Sequence, residues 1–252
     1  EIGVRLVGSE MCIRDRYETV QSILAKSGHI NHKYLKESES DKKAVIVVTA
    51  NRGLAGGYNS NITRMIIDEG FTKENTVVYA VGKKGRELLE RKGYEIKADY
   101  SEAINDPIYK DAKEICDDVL SAFADGEVGE IYLAYTVFKN TVVHEPQLIR
   151  LLPVEADDAA HETDGSEALM TYEPSEEEAL DMIIPKYVCS LVYGALIESV
   201  ASENGARMQA MDSATSNAEE MISTLSLKYN RARQASITQE LTEIIAGANA
   251  IE

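Results

Sequence analysis

The chain has 252 residues, of which 44% are hydrophobic and 27% are charged, so it contains enough apolar sequence to form a folded core. Its formal net charge of -17 argues against a nucleic-acid-binding protein, because a phosphate backbone requires a face rich in lysine and arginine. A membrane span needs about 18 uninterrupted apolar residues. The sequence has no such stretch, and it therefore predicts no direct membrane insertion.

The cysteine and histidine residues form no pattern typical of a metal site or a catalytic site. The cysteines are odd in number, which favours a reducing, cytoplasmic compartment over a disulfide framework. We expect buried, inert thiols at Cys116 and Cys189, surface or linker positions for the histidines, and no catalytic residue, metal or cofactor. The residues concerned are Cys12, Cys116, Cys189, His29, His32, His144 and His161.

Two segments precede the first strong structural pattern. Residues 1–16 have neither the apolar core of a signal peptide nor the composition of a transit peptide, and we expect a foreign leader there. Residues 17–30 have a short helical pattern that ends at Gly28, and a polar stretch follows. We interpret residues 17–40 as the end of a helix and a linker.

Residues 41–173 alternate between strand and helix patterns, which predicts an α/β domain with a mostly parallel sheet. The first strands are continuous β-branched runs, typical of strands buried on both faces. A short edge strand follows them, and a hairpin turning near Lys139 and Asn140 ends the domain. The predicted elements are strand 43–50, helix 59–70, strand 76–81, helix 82–92, strand 94–98, helix 107–123, strand 130–139 and strand 141–154.

The pattern changes at residues 174–252, which predict one long helix. Pro174 precedes a good N-cap, Ser175, and acidic residues follow it in the first turn. Between Gly205 and Gly247 there is no glycine or proline, so the helix is free to continue unbroken. A coiled-coil seam with a stagger near Tyr229 follows from apolar residues spaced by three and four. The seam comprises Met211, Ala214, Ala218, Met221, Leu225, Ile237, Leu241, Ile244, Ala248 and Ile251.

Two motifs allow more than one interpretation. The loop from Gly53 to Gly57 lies between a predicted strand and a predicted helix, where backbone amides could bind a phosphate. It lacks the pattern of a P-loop or a dinucleotide fingerprint, so a tight turn is favoured, and a nucleotide-binding α/β enzyme is the alternative. The polar cluster at residues 229–234, which follows Lys228, forms a local basic patch. This patch is either a solvated helix face or a docking point for carboxylates. An unrelated coiled-coil adaptor is a third hypothesis.

Two separated blocks of the sequence resemble the gamma subunit of F-type ATP synthases. They are VVTANRGLAGGYNSNI at residues 47–62 and SENGARMQAMDSATSNAEEMISTLSLKYNRARQASITQELTEIIAGANA at residues 202–250. The resemblance covers residues 17–252. It implies a small Rossmann-like α/β domain and a long C-terminal helix, which forms an antiparallel coiled coil with an N-terminal helix. Most of that N-terminal helix is expected to be missing from this chain.

The resemblance also implies a function. The chain would be a non-catalytic, rotary central-stalk subunit that couples proton-driven rotation to ATP synthesis or hydrolysis on the alpha/beta hexamer. Its other implied partners are the epsilon subunit and the c-ring, which is the rotor ring in the membrane. The implied location is peripheral, on the cytoplasmic face of the bacterial plasma membrane.

Three groups of residues resemble the family's partner contacts. The first group would meet loops of the alpha/beta hexamer, the second would be a further coupling position on the same helix, and the third would be the foot on the c-ring. The contacts with the alpha/beta hexamer are Arg233 and Gln234, with Thr238 and Glu240 nearby. The further coupling position is Glu203 and Arg207. The foot on the c-ring is Tyr172 and Glu173.

Overall fold

The computed structural model describes residues 32–35, 40–141, 143–154 and 176–249. The expected leader, most of the expected linker, and Tyr172 and Glu173 lie outside these residues. The helices and strands are β1 Lys43–Val48, α1 Tyr58–Asp68, β2 Thr76–Val81, α2 Lys83–Arg91, β3 Glu95–Asp99, α3 Tyr109–Ala124, β4 Glu130–Phe138, β5 His144–Leu152 and α4 Glu176–Asn249.

Five strands in the described part of the chain form one sheet in the order β3-β2-β1-β4-β5. Strand β1 pairs in parallel with β2 and β4, and β2 pairs in parallel with β3. Strands β4 and β5 form an antiparallel hairpin. The predicted mostly parallel sheet, its edge strand and its terminal hairpin are therefore confirmed.

Helices cover both faces of the sheet, which explains why β1 and β2 are apolar after their first residues, Lys43 and Thr76. Along β1, Ala44, Ile46 and Val48 face a core shared with α3 and the first part of α4. The alternate residues Val45 and Val47 face a second core shared with α1 and α2. Because side chains alternate along a strand, a strand between two helical layers needs apolar residues at every position.

A short segment ahead of β1 packs against α3 and α4. The Tyr34 side chain is buried, with its ring centroid 6.3 Å from that of Phe123. Lys33 Nζ and His32 Nε2 lie 2.8 Å and 3.2 Å from Asp181 Oδ1 on α4. The hydrogen bond from Lys33 lowers the pKa of the Asp181 carboxyl below its ordinary value. His32 lies in the stretch that we interpreted as a linker, but its side chain is buried and is not at the surface.

Helix α4 is continuous over 74 residues and includes Pro185. The long C-terminal helix predicted from the sequence is therefore confirmed. Side chains at many positions between Leu180 and Ala201 are buried, whereas those from Asp212 to Gly247 are exposed. The chain divides into two compact units, with the boundary between Arg207 and Met208.

Among the described residues, the part of α4 that spans Glu178–Gly247 is long and apolar enough to cross a membrane, judged by length and composition alone. Of its apolar window, 61% is buried inside the protein. A helix packed in a protein core satisfies the same criteria, and charged residues interrupt the apolar sequence here. Length and composition alone therefore do not make α4 a membrane span.

Gly82, between β2 and α2, is expected to be essential for stability. Its φ is 112°, and an added Cβ would lie 2.1 Å from the Thr49 carbonyl oxygen. We predict that Gly82→Ala lowers the free energy of unfolding by about 3 kcal/mol, because it combines backbone strain with a clash against the main chain. Urea unfolding of the whole chain measures the change.

Gly70→Ala is the matched control for this substitution. Gly70 also has a positive φ, 81°, but an added Cβ there meets no described atom within 4 Å. The control should cost about 1 kcal/mol, from backbone strain alone. Equal losses of stability in the two variants would contradict the steric explanation.

Candidate partner-contact site

The glycine-rich loop after β1 is a turn held by its own hydrogen bonds. The Asn51 side chain donates to the Ser101 carbonyl at 2.7 Å and accepts from the Lys83 amide at 2.9 Å. Leu54 and Gly56 have positive φ values of 62° and 56°. A residue without a Cβ adopts such an angle without strain, which accounts for a glycine at position 56.

The start of α1 shows the same internal bonding. The Tyr58 amide donates to the Ala55 carbonyl at 3.2 Å, and the Asn61 amide donates to the Gly57 carbonyl at 2.8 Å. These bonds close the turn and begin the helix. The tight turn stays the favoured interpretation because the loop lacks the pattern of a P-loop or a dinucleotide fingerprint.

The loop packs against α4 at two of the predicted contact residues. The Arg207 guanidinium lies 2.6 Å from the Glu203 carboxylate and 3.5 Å from the Gly53 carbonyl oxygen. Close by, the buried Tyr58 hydroxyl donates to the Ser199 carbonyl at 3.0 Å. Burial raises the pKa of Tyr58, so this hydroxyl remains a donor. Glu203 and Arg207 thus form one cluster with a loop that lies far away in the sequence.

His144 is another residue of this region that sequence reasoning missed. Both of its ring nitrogens are buried, and a Cβ on Gly205 would lie 2.7 Å from its Cε1 atom. Its ring is also 6.2 Å from that of Phe138. His144 is the first residue of β5 and is half-buried, because the approach of β5 to α4 covers its ring nitrogens while part of the residue stays exposed.

The other predicted contacts on α4, Arg233, Gln234, Thr238 and Glu240, have exposed side chains. The Thr238 hydroxyl donates to the Gln234 carbonyl one turn earlier, at 2.8 Å. No ion pair to Arg233 is found within the described ranges. Its guanidinium is therefore available for a carboxylate of a partner.

These four residues border the predicted coiled-coil seam on both sides. At about 100° per residue, Arg233 and Glu240 lie along one edge of the line formed by Ile237, Leu241 and Ile244. Gln234 and Thr238 lie along the other edge. Ile251 of the seam lies outside the described residues. Among the described seam residues, Met221, Leu225 and Ile244 retain 68%, 64% and 67% of their accessible surface. This part of α4 therefore presents an apolar stripe with polar borders.

Metal binding has no support in the part of the chain that the structure describes. No group of three or more His, Cys, Asp or Glu side chains there is arranged to hold an ion. Tyr172 and Glu173 lie outside the described residues, so their predicted contact with a rotor ring stays a prediction.

Comparison with known proteins identifies the family. A family model described as ATP synthase matches residues 8–251. The ATP synthase gamma chain of Lachnoclostridium phytofermentans is 66% identical over 241 residues, which cover 93% of this chain and 83% of the relative. The "ATP synthase gamma chain, sodium ion specific" of Acetobacterium woodii is 41% identical over 250 residues, with the same two coverages.

Solved structures share the fold. A chain of the Euglena gracilis mitochondrial ATP synthase (OSCP/F1/c-ring, rotational state 3) superposes with a TM-score of 0.63 at 18% identity, covering 99% of this chain and 93% of that one. A chain of the Tetrahymena thermophila mitochondrial ATP synthase (central stalk/c-ring) superposes with a TM-score of 0.56 at 22% identity, covering 85% of this chain and 96% of that one. From the family model and the close relatives together, this chain belongs to the ATP synthase gamma chain family.

Proposed function

We propose that this chain is the central-stalk subunit of a rotary ATP synthase and transmits torque without catalysing a reaction itself. The observation that carries this proposal is the exposed apolar stripe on α4, bordered by Arg233 and Gln234. Two further findings support it: the chain belongs to the gamma chain family, and one structural neighbour comes from the central stalk/c-ring of a mitochondrial ATP synthase. The alpha/beta hexamer would hold the catalytic sites.

The first part of α4 is suited to carry load. Leu180, Ile184, Val192 and Leu196 are fully buried against the α/β core. The Tyr58 hydrogen bond to Ser199 adds a polar attachment between the glycine-rich turn and the same helix. A force applied to the α/β domain would therefore pass directly to the backbone of α4.

The exposed stripe requires a partner. Each Å² of apolar surface left in water costs about 25 cal/mol, so a line of isoleucine, leucine and methionine side chains favours packing against another helix. In this proposal an N-terminal helix covers the stripe as an antiparallel coiled coil. The polar borders remain free to contact the surrounding ring.

Arg233 and Gln234 are the proposed principal contacts with the alpha/beta hexamer, and Thr238 and Glu240 act nearby. A guanidinium forms two parallel hydrogen bonds to a carboxylate, which makes its contact strong and directional. Such contacts change the equilibrium of a ring subunit only if their strength differs between its conformations. Rotation of α4 would supply that difference by turning Arg233 toward or away from each subunit.

We also propose the remaining partners and the location. Glu203 and Arg207 form a further coupling contact beside the glycine-rich turn, and Tyr172 and Glu173 meet the c-ring. The epsilon subunit binds the same stalk. The complex then lies on the cytoplasmic face of the bacterial plasma membrane, with this chain peripheral to the lipid.

Assembly tests the proposal as a whole. The gene that encodes this chain is coexpressed with the genes for the alpha and beta subunits of the same organism, and ATP hydrolysis by the purified complex is measured. We expect a stable complex whose ATPase activity exceeds that of alpha and beta alone. A ring that forms and hydrolyses ATP equally well without this chain would refute the proposal.

The double substitution Arg233→Ala and Gln234→Ala tests the ring contact. The double variant is measured in membrane vesicles that contain the complete synthase. We expect ATP-driven ion pumping to fall about tenfold relative to ATP hydrolysis. A tenfold change corresponds to about 1.4 kcal/mol, which is the size expected for the loss of charge-assisted hydrogen bonds. The ratio of pumping to hydrolysis is the measurement, because poor assembly lowers both quantities together.

The matched control is the double substitution Lys228→Ala and Gln239→Ala. It removes one positive charge and one amide from the same helix, but on the opposite side from the stripe, since Lys228 lies about two and a half turns before Ile237. The control should leave the ratio unchanged. If both double variants lowered the ratio of pumping to hydrolysis equally, the cause would be a change in helix charge or stability and not the loss of the proposed contact.

Protons are the proposed coupling ion. The 66% identical relative is named without an ion, whereas the sodium-specific relative is 41% identical. We expect ATP hydrolysis by the membrane-bound complex at neutral pH to be independent of sodium from micromolar to millimolar concentrations. Activation by sodium over that range would identify a sodium-driven enzyme and would leave the stalk assignment intact.

A further inference from the structure

Two cysteines that are distant in sequence meet in the core of the α/β unit. Cys116 lies on α3 and Cys189 lies on α4, and their side chains are 1% and 4% exposed. Neither cysteine is in a disulfide bond, and the Cys116 side chain is hydrogen-bonded to that of Cys189. The two sulfur atoms are therefore close neighbours across the interface between two helices.

The surroundings of the pair are apolar. Both cysteines belong to the core that includes Ile115, Val119 and Val192. A disulfide bond is about 2.05 Å long, so the two hydrogen-bonded sulfur atoms have to move closer together to form one.

We propose that Cys116 and Cys189 form a dithiol modification site, which hydrogen peroxide converts into an intramolecular disulfide between α3 and α4. The product joins two helices that pack on the same face of the sheet. The proposal concerns the chain alone and does not depend on the role of the chain in torque transmission.

The two sulfur atoms react in turn. The hydrogen bond with Cys189 and burial raise the pKa of Cys116 well above its usual range, so little thiolate forms there. One of the two thiols loses its proton, and its sulfur attacks peroxide as a thiolate. The O–O bond breaks, this cysteine becomes a sulfenic acid, and the released hydroxide takes up the lost proton, which gives the first water.

The other cysteine completes the reaction. Its sulfur attacks the sulfenic sulfur, the S–O bond breaks, and the hydroxide leaves with the proton of the second thiol as the second water. Two thiols have lost two hydrogen atoms and two electrons, and one peroxide has been reduced to two waters. Because both sulfur atoms are buried, peroxide reaches them only when the α3–α4 contact opens, so the reaction is slower than at an exposed thiol.

The test uses the whole chain with Cys12→Ser, which leaves only the two thiols in question. The protein is treated with hydrogen peroxide, unfolded, alkylated and weighed by intact mass spectrometry. We expect a monomer that is lighter by about 2 Da, resists alkylation and regains both thiols after reduction. A tryptic peptide that contains both cysteines identifies the bond.

Single substitutions to serine are the controls, because serine is close to cysteine in size. In each variant the remaining cysteine has no partner thiol, so a sulfenic acid formed there should persist and be trapped by dimedone. Neither variant should lose 2 Da. If a serine variant fails to fold, the proposal is tested by whether the cross-linked tryptic peptide appears in the protein that has both cysteines.

Three results would overturn the proposal. They are sulfinic acids on separate cysteines, full alkylation of both thiols after peroxide, and a disulfide that joins two molecules. A further expected result is an increase of about 5–10 °C in the thermal midpoint after oxidation, reversed by reduction, because a cross-link between distant residues restricts the unfolded chain.

Discussion

The apolar contact between the first part of α4 and one face of the sheet is the interaction on which the rest of the structure depends. A parallel sheet is stable only when helices cover both faces. Helices α1 and α2 cover one face, and α3 with α4 covers the other. The fully buried side chains of Leu180, Ile184, Val192 and Leu196 therefore complete the α/β core and fix the start of the long helix.

The same helix has a different environment after Arg207. Its side chains become exposed there, and the apolar residues narrow to a stripe on one side. Few tertiary contacts stabilise an exposed helix, so its own hydrogen bonds contribute most of its stability in the chain alone. The helix is thus a core element in its first part, whereas its second part has an exposed apolar stripe on which the proposed docking depends.

The α/β domain also shows why a fold does not define a function. Its strands, crossover helices and glycine-rich turn resemble those of nucleotide-binding proteins. Here, however, the side chain of Asn51 and the amides near Tyr58 bond within the domain, and the turn packs against Arg207. The turn therefore acts as a structural link between the domain and α4.

The sequence by itself determined the strand and helix order, the long helix and the family, because these depend on local patterns of apolar residues and on long blocks of similar sequence. Element ends agreed within a few residues. Only the tertiary structure decided that His32 is buried, that the ring nitrogens of His144 are covered and that Cys116 meets Cys189. Each of these environments is created by elements that pack together from distant parts of the chain, and no local pattern records which elements will meet.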